Sequence, residues 1–180
     1  LDGCVVEAKQ LSHEDVTGVG YGICTFHVGS KTDDRKFLEC YLDRKKQELQ
    51  RRQDQSDAYV KLARKSLESY ILSGRQIDLA DGLEYVEILE KQRDPDKYPK
   101  IRNELTDTRA GAFVSIHEHG RLRGCIGTIL PTTDCVAEEI IQNAVSASTR
   151  DPRFEPITAE ELPWLEINVD VLGAPEPISG

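Results

Sequence analysis

The stretch GAFVSIHEHGRLRGCIGTIL, residues 111–130, determines how the second half of this chain folds. Apolar residues alternate along 111–117, which is typical of a β-strand that buries one face. The EHG at 118–120 supplies a tight connection, with Gly120 suited to a left-handed conformation, and 121–130 returns as a second strand. The stretch therefore predicts a β-hairpin.

The residues after this hairpin predict a helix and a further strand. Pro131 ends the second strand, and Thr133 or Asp134 is placed to cap a helix whose apolar residues at 136–145 form one buried face. Residues 165–172, LEINVDVL, alternate again. The order β-β-α-β predicts an α+β fold with a mainly antiparallel sheet and helices packed on it.

The middle of the chain is predicted to be partly helical. Residues 57–73 carry one apolar stripe, with Ser56 as the candidate N-cap and Gly74 as the natural stop. Prolines interrupt the short helical pattern that follows, so residues 74–100 are expected to be loop-like.

The first part of the chain has a different composition. Residues 1–30 are rich in glycine and β-formers and predict two strands around the polar bend at 12–18. Two strands are not a stable unit alone, so we expect them to belong to a larger sheet. The highly charged stretch 35–53 predicts an exposed linker helix.

Composition excludes several functional classes. The net charge of −9 argues against a nucleic-acid backbone as partner, and no apolar run is long enough to span a membrane. Cysteines are odd in number and no Cys/His set has zinc spacing, so we expect a reduced cytoplasmic protein without a signal peptide, metal site or cofactor. The chain begins with leucine and has no methionine, which favours a fragment of a longer protein.

The second strand of the hairpin carries the strongest chemical signal. Cys125 and two arginines share one predicted face, and neighbouring cations favour a thiolate. Two glycines in a strand indicate a bulge or the close approach of a ligand or backbone. Alternation would place Leu122, Gly124, Ile126 and Thr128 on one face and Arg121, Arg123, Cys125 and Gly127 on the other.

Two interpretations of this strand stay open. In the first, it forms an anion-accepting patch beside a reactive sulfur. In the second, Cys125 is a small buried hydrophobe, the arginines point to solvent and the glycines relieve crowding.

A second candidate segment is STRDPRFEP at 148–156. Asp151 before Pro152 starts a turn at the end of the predicted helix. In a structural interpretation this is a helix exit with paired charges. In a functional interpretation Arg153 enters the same pocket as Cys125, joined by Asn143.

Three stretches in order resemble the AMMECR family over about residues 57–179: FVSIHEHGRLRGCIGTILPT, AEEIIQNAVSASTRDPRFEPIT and ELPWLEINVDVLGAPEPI. The hexapeptide LRGCIG at 122–127 is the signature of that family. The resemblance implies a fold of two subdomains around a cleft that the hexapeptide and the DPRF loop line. It also implies that the family domain continues beyond Gly180. The residues it brings to the cleft are Arg123, Gly124, Gly127, Asn143, Asp151 and Arg153 as ligand-binding candidates and Cys125 as the catalytic candidate.

Residues 1–30 resemble the end of a Memo-like domain, a relative of class III extradiol dioxygenases. The resulting organisation is a Memo-like tail at 1–30, a charged linker at 31–56 and a partial AMMECR-like domain at 57–180. The resemblance implies partnership with a radical SAM enzyme in the AmmeMemoRadiSam system. It also implies that any metal lies in a Memo-like domain upstream.

We expect a cytoplasmic accessory domain that binds a small anionic ligand or modified peptide beside Arg123, Cys125 and Arg153. The first alternative is an enzyme with Cys125 as nucleophile. The second is a non-catalytic interaction scaffold, or a part of a dioxygenase-like fusion protein.

Overall fold

The computed structural model describes residues 2–16 and 19–173. It divides the chain into two compact units, residues 1–48 and 49–180. Over the described residues, helices combine with two antiparallel sheets, so the predicted α+β class is confirmed. The end of the third family-like stretch, from residue 174, lies outside the described residues.

The first unit is a long two-stranded ribbon followed by helix. Strand β1 (Cys4–Val16) pairs antiparallel with β2 (Val19–Lys31). The strands continue through most of the predicted bend, whose Thr17 and Gly18 lie outside the described residues. Helix α1 (Phe37–Gln55) confirms the charged helix, and Asp2 accepts a hydrogen bond from the backbone N–H of Leu38 near its start at 2.8 Å.

Three helices precede the sheet of the second unit: α2 (Ala58–Ser73), α3 (Leu79–Arg93) and α4 (Tyr98–Asp107). The loop-like prediction for 74–100 is therefore wrong. Pro99 lies in the first turn of α4, where a missing N–H costs nothing. A Cβ at Gly82 would lie 2.8 Å from the Leu62 side chain, so this glycine lets α3 pack closely. Among the described residues, no helix combines the length and the apolar character needed to cross a bilayer.

Helix ends follow the predicted pattern in part. Gly74 closes α2 in the left-handed conformation (φ 70°), as predicted. The N-cap of α2 is Asp57 and not Ser56, because the Asp57 carboxylate accepts from the Val60 N–H. Helix α5 (Val136–Thr149) begins after Cys135 without a side-chain cap, so the capping prediction for Thr133 or Asp134 is wrong.

A three-stranded sheet forms the centre of the second unit. Strands β3 (Ala112–Glu118), β4 (Arg121–Gly127) and β5 (Leu165–Val171) pair antiparallel in the order β4-β3-β5. The predicted hairpin is confirmed. His119 (φ 51°) and Gly120 (φ 75°) form its two-residue turn, and positive φ at both central residues matches the twist of the flanking strands.

The core lies between this sheet and α5. Ala112, Val114 and Ile116 of β3 are fully buried, and α5 packs against β3 and β4 while α2 packs against α5. The predicted buried face of α5 is confirmed. The face that these three β3 residues share is the inner face of the sheet.

The opposite, outer face carries Phe113, Ser115, Cys125, Asn168 and Asp170. Ser115 lies opposite Cys125 on one side and Asn168 on the other, and Phe113 lies opposite Asp170. Paired residues project to the same face, so these side chains share one surface.

A bulge in β4 changes the predicted faces. The register shifts between Ile116 and His117, so Gly124 opposes Ile116 whereas Leu122 opposes His117. Arg123 is the extra residue. The prediction that Leu122 shares a face with Gly124 is therefore wrong, because a bulge breaks the alternation of side chains.

Candidate functional site

The backbone of Cys125 is held from the open side of the edge strand β4. Its N–H donates to Asp151 Oδ2 at 2.9 Å, and its carbonyl accepts from Arg153 Nη2 at 3.2 Å. An edge strand otherwise leaves these groups without a partner. The pair of Asp151 and Arg153 therefore takes the place of a neighbouring strand at Cys125.

Asp151 is a buried anion with several donors. Its side chain is 2% exposed, and it accepts bonds from the Arg153 backbone N–H, Nε and Nη2 as well as from Cys125. The hydrogen bond from the Arg153 side chain is the main cause that holds the pKa of Asp151 well below its usual range, and it outweighs desolvation. The same bond raises the pKa of Arg153, to which the nearby Cys125 also contributes.

Arg153 is fixed on one side and open on the other. Its side chain is 55% exposed, although Nε and Nη2 are bonded to Asp151. Within the described part of the chain, Nη1 has no hydrogen bond. The guanidinium lies 5.4 Å from the centre of the Phe154 ring. The structure thus presents an oriented cation at the β4 edge.

The Cys125 thiol is partly exposed beside this cation. Its Sγ lies 3.2 Å from Ser115 Oγ, on the outer face. A hydroxyl is a weaker proton acceptor than the imidazole or carboxylate that activates catalytic thiols. The described residues contain no group of three or more His, Cys, Asp or Glu side chains suited to a metal ion.

Arg123 is bonded to a different part of the chain, residues 155–161. Its Nε donates to Glu161 Oε1 at 2.6 Å, Nη1 to the Glu155 carbonyl at 2.7 Å and Nη2 to the Pro156 carbonyl at 3.3 Å. The side chain is 17% exposed. Arg123 therefore holds residues 155–161 against β4 and does not join Arg153 on an open surface.

Three further candidates lie in the packing around the site. A Cβ at Gly124 would be 2.1 Å from the Ala147 carbonyl oxygen, and one at Gly127 would be 2.3 Å from the Phe113 ring. Asn143 is buried and donates to the Ala112 carbonyl at 2.9 Å. Of the predicted residues, the structure brings together Cys125, Asp151 and Arg153.

The buried carboxylate of Glu139 was not predicted from the sequence. It is 1% exposed and accepts bonds from the hydroxyls or backbone N–H groups of Thr128, Thr132 and Thr133. Burial tends to raise the pKa of Glu139, but these hydrogen bonds outweigh it and the pKa lies below its usual value. Glu139 thus fixes the loop that follows the LRGCIG strand.

Other missed residues are Ser115 and Glu161. Ser115 was detectable as the cross-strand neighbour of Cys125 once a register was assumed. Glu161 carried no local signal, because it meets Arg123 across 38 residues of sequence.

Comparison with known proteins then identifies the family. A model described as AMMECR1 matches residues 60–180, well over half of the chain. The chain belongs to the AMMECR1 family. This confirms the resemblance drawn from the LRGCIG signature and its flanking motifs.

Relatives of this AMMECR1 chain cover different extents of it. Protein CA_C1420 of Clostridium acetobutylicum is 41% identical over 177 residues, which is 98% of this chain and 34% of that protein. A protein of Thermotoga maritima is 41% identical over 121 residues, 67% of this chain and 59% of its own.

A solved structure is also similar to this AMMECR1 chain. The crystal structure of the uncharacterised protein PH0010 from Pyrococcus horikoshii matches with a TM-score of 0.51 and 31% identity, over 68% of this chain and 53% of that one. The chain thus spans between a third and three fifths of these relatives.

Proposed function

We propose that this AMMECR1 domain binds the anionic group of a small ligand or modified peptide at Arg153, next to Cys125. The observation that carries the proposal is the state of Arg153: more than half of its side chain is exposed, while a buried Asp151 fixes its orientation. A guanidinium held in this way is preorganised, so less side-chain freedom is lost when it binds a carboxylate or phosphate.

The surrounding residues have supporting roles in this proposal. Cys125 supplies a polarisable side chain beside the anion, and Arg123 shapes the site by holding 155–161 in place. The charge of Arg153 is partly compensated by Asp151, so we expect weak binding that depends on the free Nη1 donor and on ionic strength.

The proposal extends to the longer protein. CA_C1420 aligns with nearly all of this chain yet is about three times as long, so the domain also occurs within a larger polypeptide. We propose that it acts in the cytoplasm as an accessory domain for a Memo-like domain and a radical SAM enzyme. Any metal would belong to those partners.

The test uses the reactivity of Cys125 as a reporter of local charge. Iodoacetate and iodoacetamide alkylate thiolates alike but differ in charge, so the ratio of their rates measures the potential at the sulfur. Mass spectrometry of the cysteine peptides separates Cys125 from the exposed Cys24 and Cys40, which serve as internal controls. We expect the iodoacetate preference at Cys125 to exceed that of the controls at least about threefold.

A matched pair of variants completes the test. Arg153→Gln should abolish the preference, whereas Arg150→Gln changes the net charge equally at an exposed neighbour and should retain it. Inorganic phosphate should protect Cys125 from iodoacetamide in a saturable way. Equal ratios at all three cysteines, without protection by phosphate, would contradict the proposal.

A further inference from the structure

We infer that the ligand of this site is a short zwitterionic peptide that lies across the outer face, with its carboxylate on Arg153 and its ammonium on Asp170. This inference rests on the proposed function, because it uses Arg153 as the anion-binding group. It adds the chemical class, length and direction of the ligand.

Charge is distributed unevenly across the outer face of the sheet. The exposed cation Arg153 lies at the β4 edge, where it bonds the Cys125 carbonyl. Asp170 is an exposed residue of β5, the opposite edge strand. A surface that is positive at one edge and negative at the other is complementary to a ligand with separated opposite charges.

Asp170 differs from the other acidic residue on this side of β5. Glu166 is paired with Arg52, whose Nη1 lies 3.0 Å from Glu166 Oε2. No hydrogen bond or ion pair joins the Asp170 carboxylate to another residue in the described part of the chain. Asp170 is therefore the acidic group that an incoming ammonium would meet on this face.

The distance between the two charges sets the length of the ligand. Neighbouring strands lie about 4.8 Å apart, and Arg153 lies one spacing beyond β4, so the two charges are separated by roughly 14 Å across the sheet. Asp170 is also offset by two residues along β5 from Asn168, the residue in line with Cys125, which brings the separation to roughly 16 Å. An extended peptide spans about 3.3–3.6 Å per residue. A free peptide of about five residues would thus reach from Arg153 to Asp170, whereas a single amino acid or a tripeptide would not.

The surface between the charges suits a peptide backbone. Ser115 and Asn168 face each other across β3 and β5, next to Cys125, and offer a hydroxyl and an amide. Phe113 is partly exposed between Gly127 and Asp170, with its ring over the glycine. Polar groups beside an aromatic ring are the usual partners of peptide amides and apolar side chains.

The experiment compares three peptides on the 180-residue chain: pentaalanine, N-acetyl-pentaalanine and pentaalanine amide. Each dissociation constant is obtained from the slowing of Cys125 alkylation by iodoacetamide, with Cys24 and Cys40 as internal controls. We expect pentaalanine to bind about threefold to fivefold more tightly than the acetylated form, as for an exposed ion pair. Loss of the carboxylate should weaken binding about tenfold or more.

A double-mutant cycle assigns the ammonium to its partner. Asp170→Asn should weaken the binding of pentaalanine to the level of the acetylated peptide and leave the binding of the acetylated peptide unaffected. Glu84→Gln removes an exposed carboxylate from α3 and should change neither.

The outcomes separate the two proposals. If acetylation or Asp170→Asn has no effect while phosphate still protects Cys125, the zwitterionic peptide is refuted and the anion site stands. If no carboxylate-bearing peptide and no phosphate protects Cys125, both proposals fall.

Discussion

Gly124 of the LRGCIG signature lets α5 pack closely against the sheet. Replacing it by alanine tests how much the stability of the fold depends on this close contact. The added Cβ would lie 2.1 Å from the Ala147 carbonyl oxygen, where ordinary contact begins at 3.4 Å. The strand and the helix backbone would therefore have to separate by about 1.3 Å. A backbone carbonyl cannot rotate away as a side chain can. Because protein interiors pack as densely as organic crystals, there is also no free space beside it.

The expected cost follows from this geometry. Overpacking a core usually lowers the free energy of unfolding by about 1–3 kcal/mol, and we expect a clash with backbone atoms to cost the upper value of this range. A loss of about 3 kcal/mol would lower the melting temperature of a domain of this size by roughly 6–12 °C. Gly173→Ala is the matched control, since no described residue lies within 4 Å of its Cβ position and no left-handed φ is required.

Thermal and urea unfolding, followed by the fluorescence of the single tryptophan Trp164, would measure both variants. Gly127→Ala should also be less stable than Gly173→Ala, because the added Cβ would lie 2.3 Å from the Phe113 ring and 2.7 Å from the Ala112 carbonyl oxygen. If Gly124→Ala were as stable as Gly173→Ala, the glycine would not be required for packing, and direct ligand contact would become the better explanation.

The remaining predictions concern buried charges. Glu139→Gln should lower the free energy of unfolding by about 1–3 kcal/mol at pH 7. Because the pKa of Glu139 is lower in the folded chain than in the unfolded chain, its charged form stabilises the fold at pH values above the unfolded-state pKa. This stabilisation is lost as the pH falls through the folded-state pKa. The difference between wild type and Glu139→Gln in urea unfolding should therefore shrink at pH 3. Lys61→Met should cost about 3–5 kcal/mol by leaving Glu90 buried without its 2.7 Å partner, whereas Lys61→Met with Glu90→Leu should restore much of the loss. Arg123→Ala should accelerate hydrogen exchange in 155–161 with little change elsewhere; unchanged exchange there would contradict its clamping role.

Local patterns predicted the elements whose faces are buried. The alternation of 111–117 and 165–172 and the EHG turn gave the correct antiparallel strands and hairpin. The helices in 79–107 were missed because proline was treated as a breaker, although Pro99 lies in a first turn, where it is tolerated.

The part of the site that is formed by residues close in sequence was predictable. Asp151 and Arg153 are two residues apart, and their association with Cys125 followed from the family motifs. The direction of Arg123 was not predictable, because a bulge moved it out of alternation and its partner Glu161 is distant in sequence.

The two arginines of the motifs illustrate why residue type alone does not define a site. Both donate to a carboxylate and to a backbone carbonyl. Arg123 is 17% exposed with all three nitrogen positions bonded, whereas Arg153 is 55% exposed and its Nη1 donates no hydrogen bond to a described residue. A bound anion can gain a hydrogen bond from Arg153 without breaking an existing one. At Arg123 it would first have to displace Glu161 or release 155–161, so anion binding by this chain should depend on Arg153.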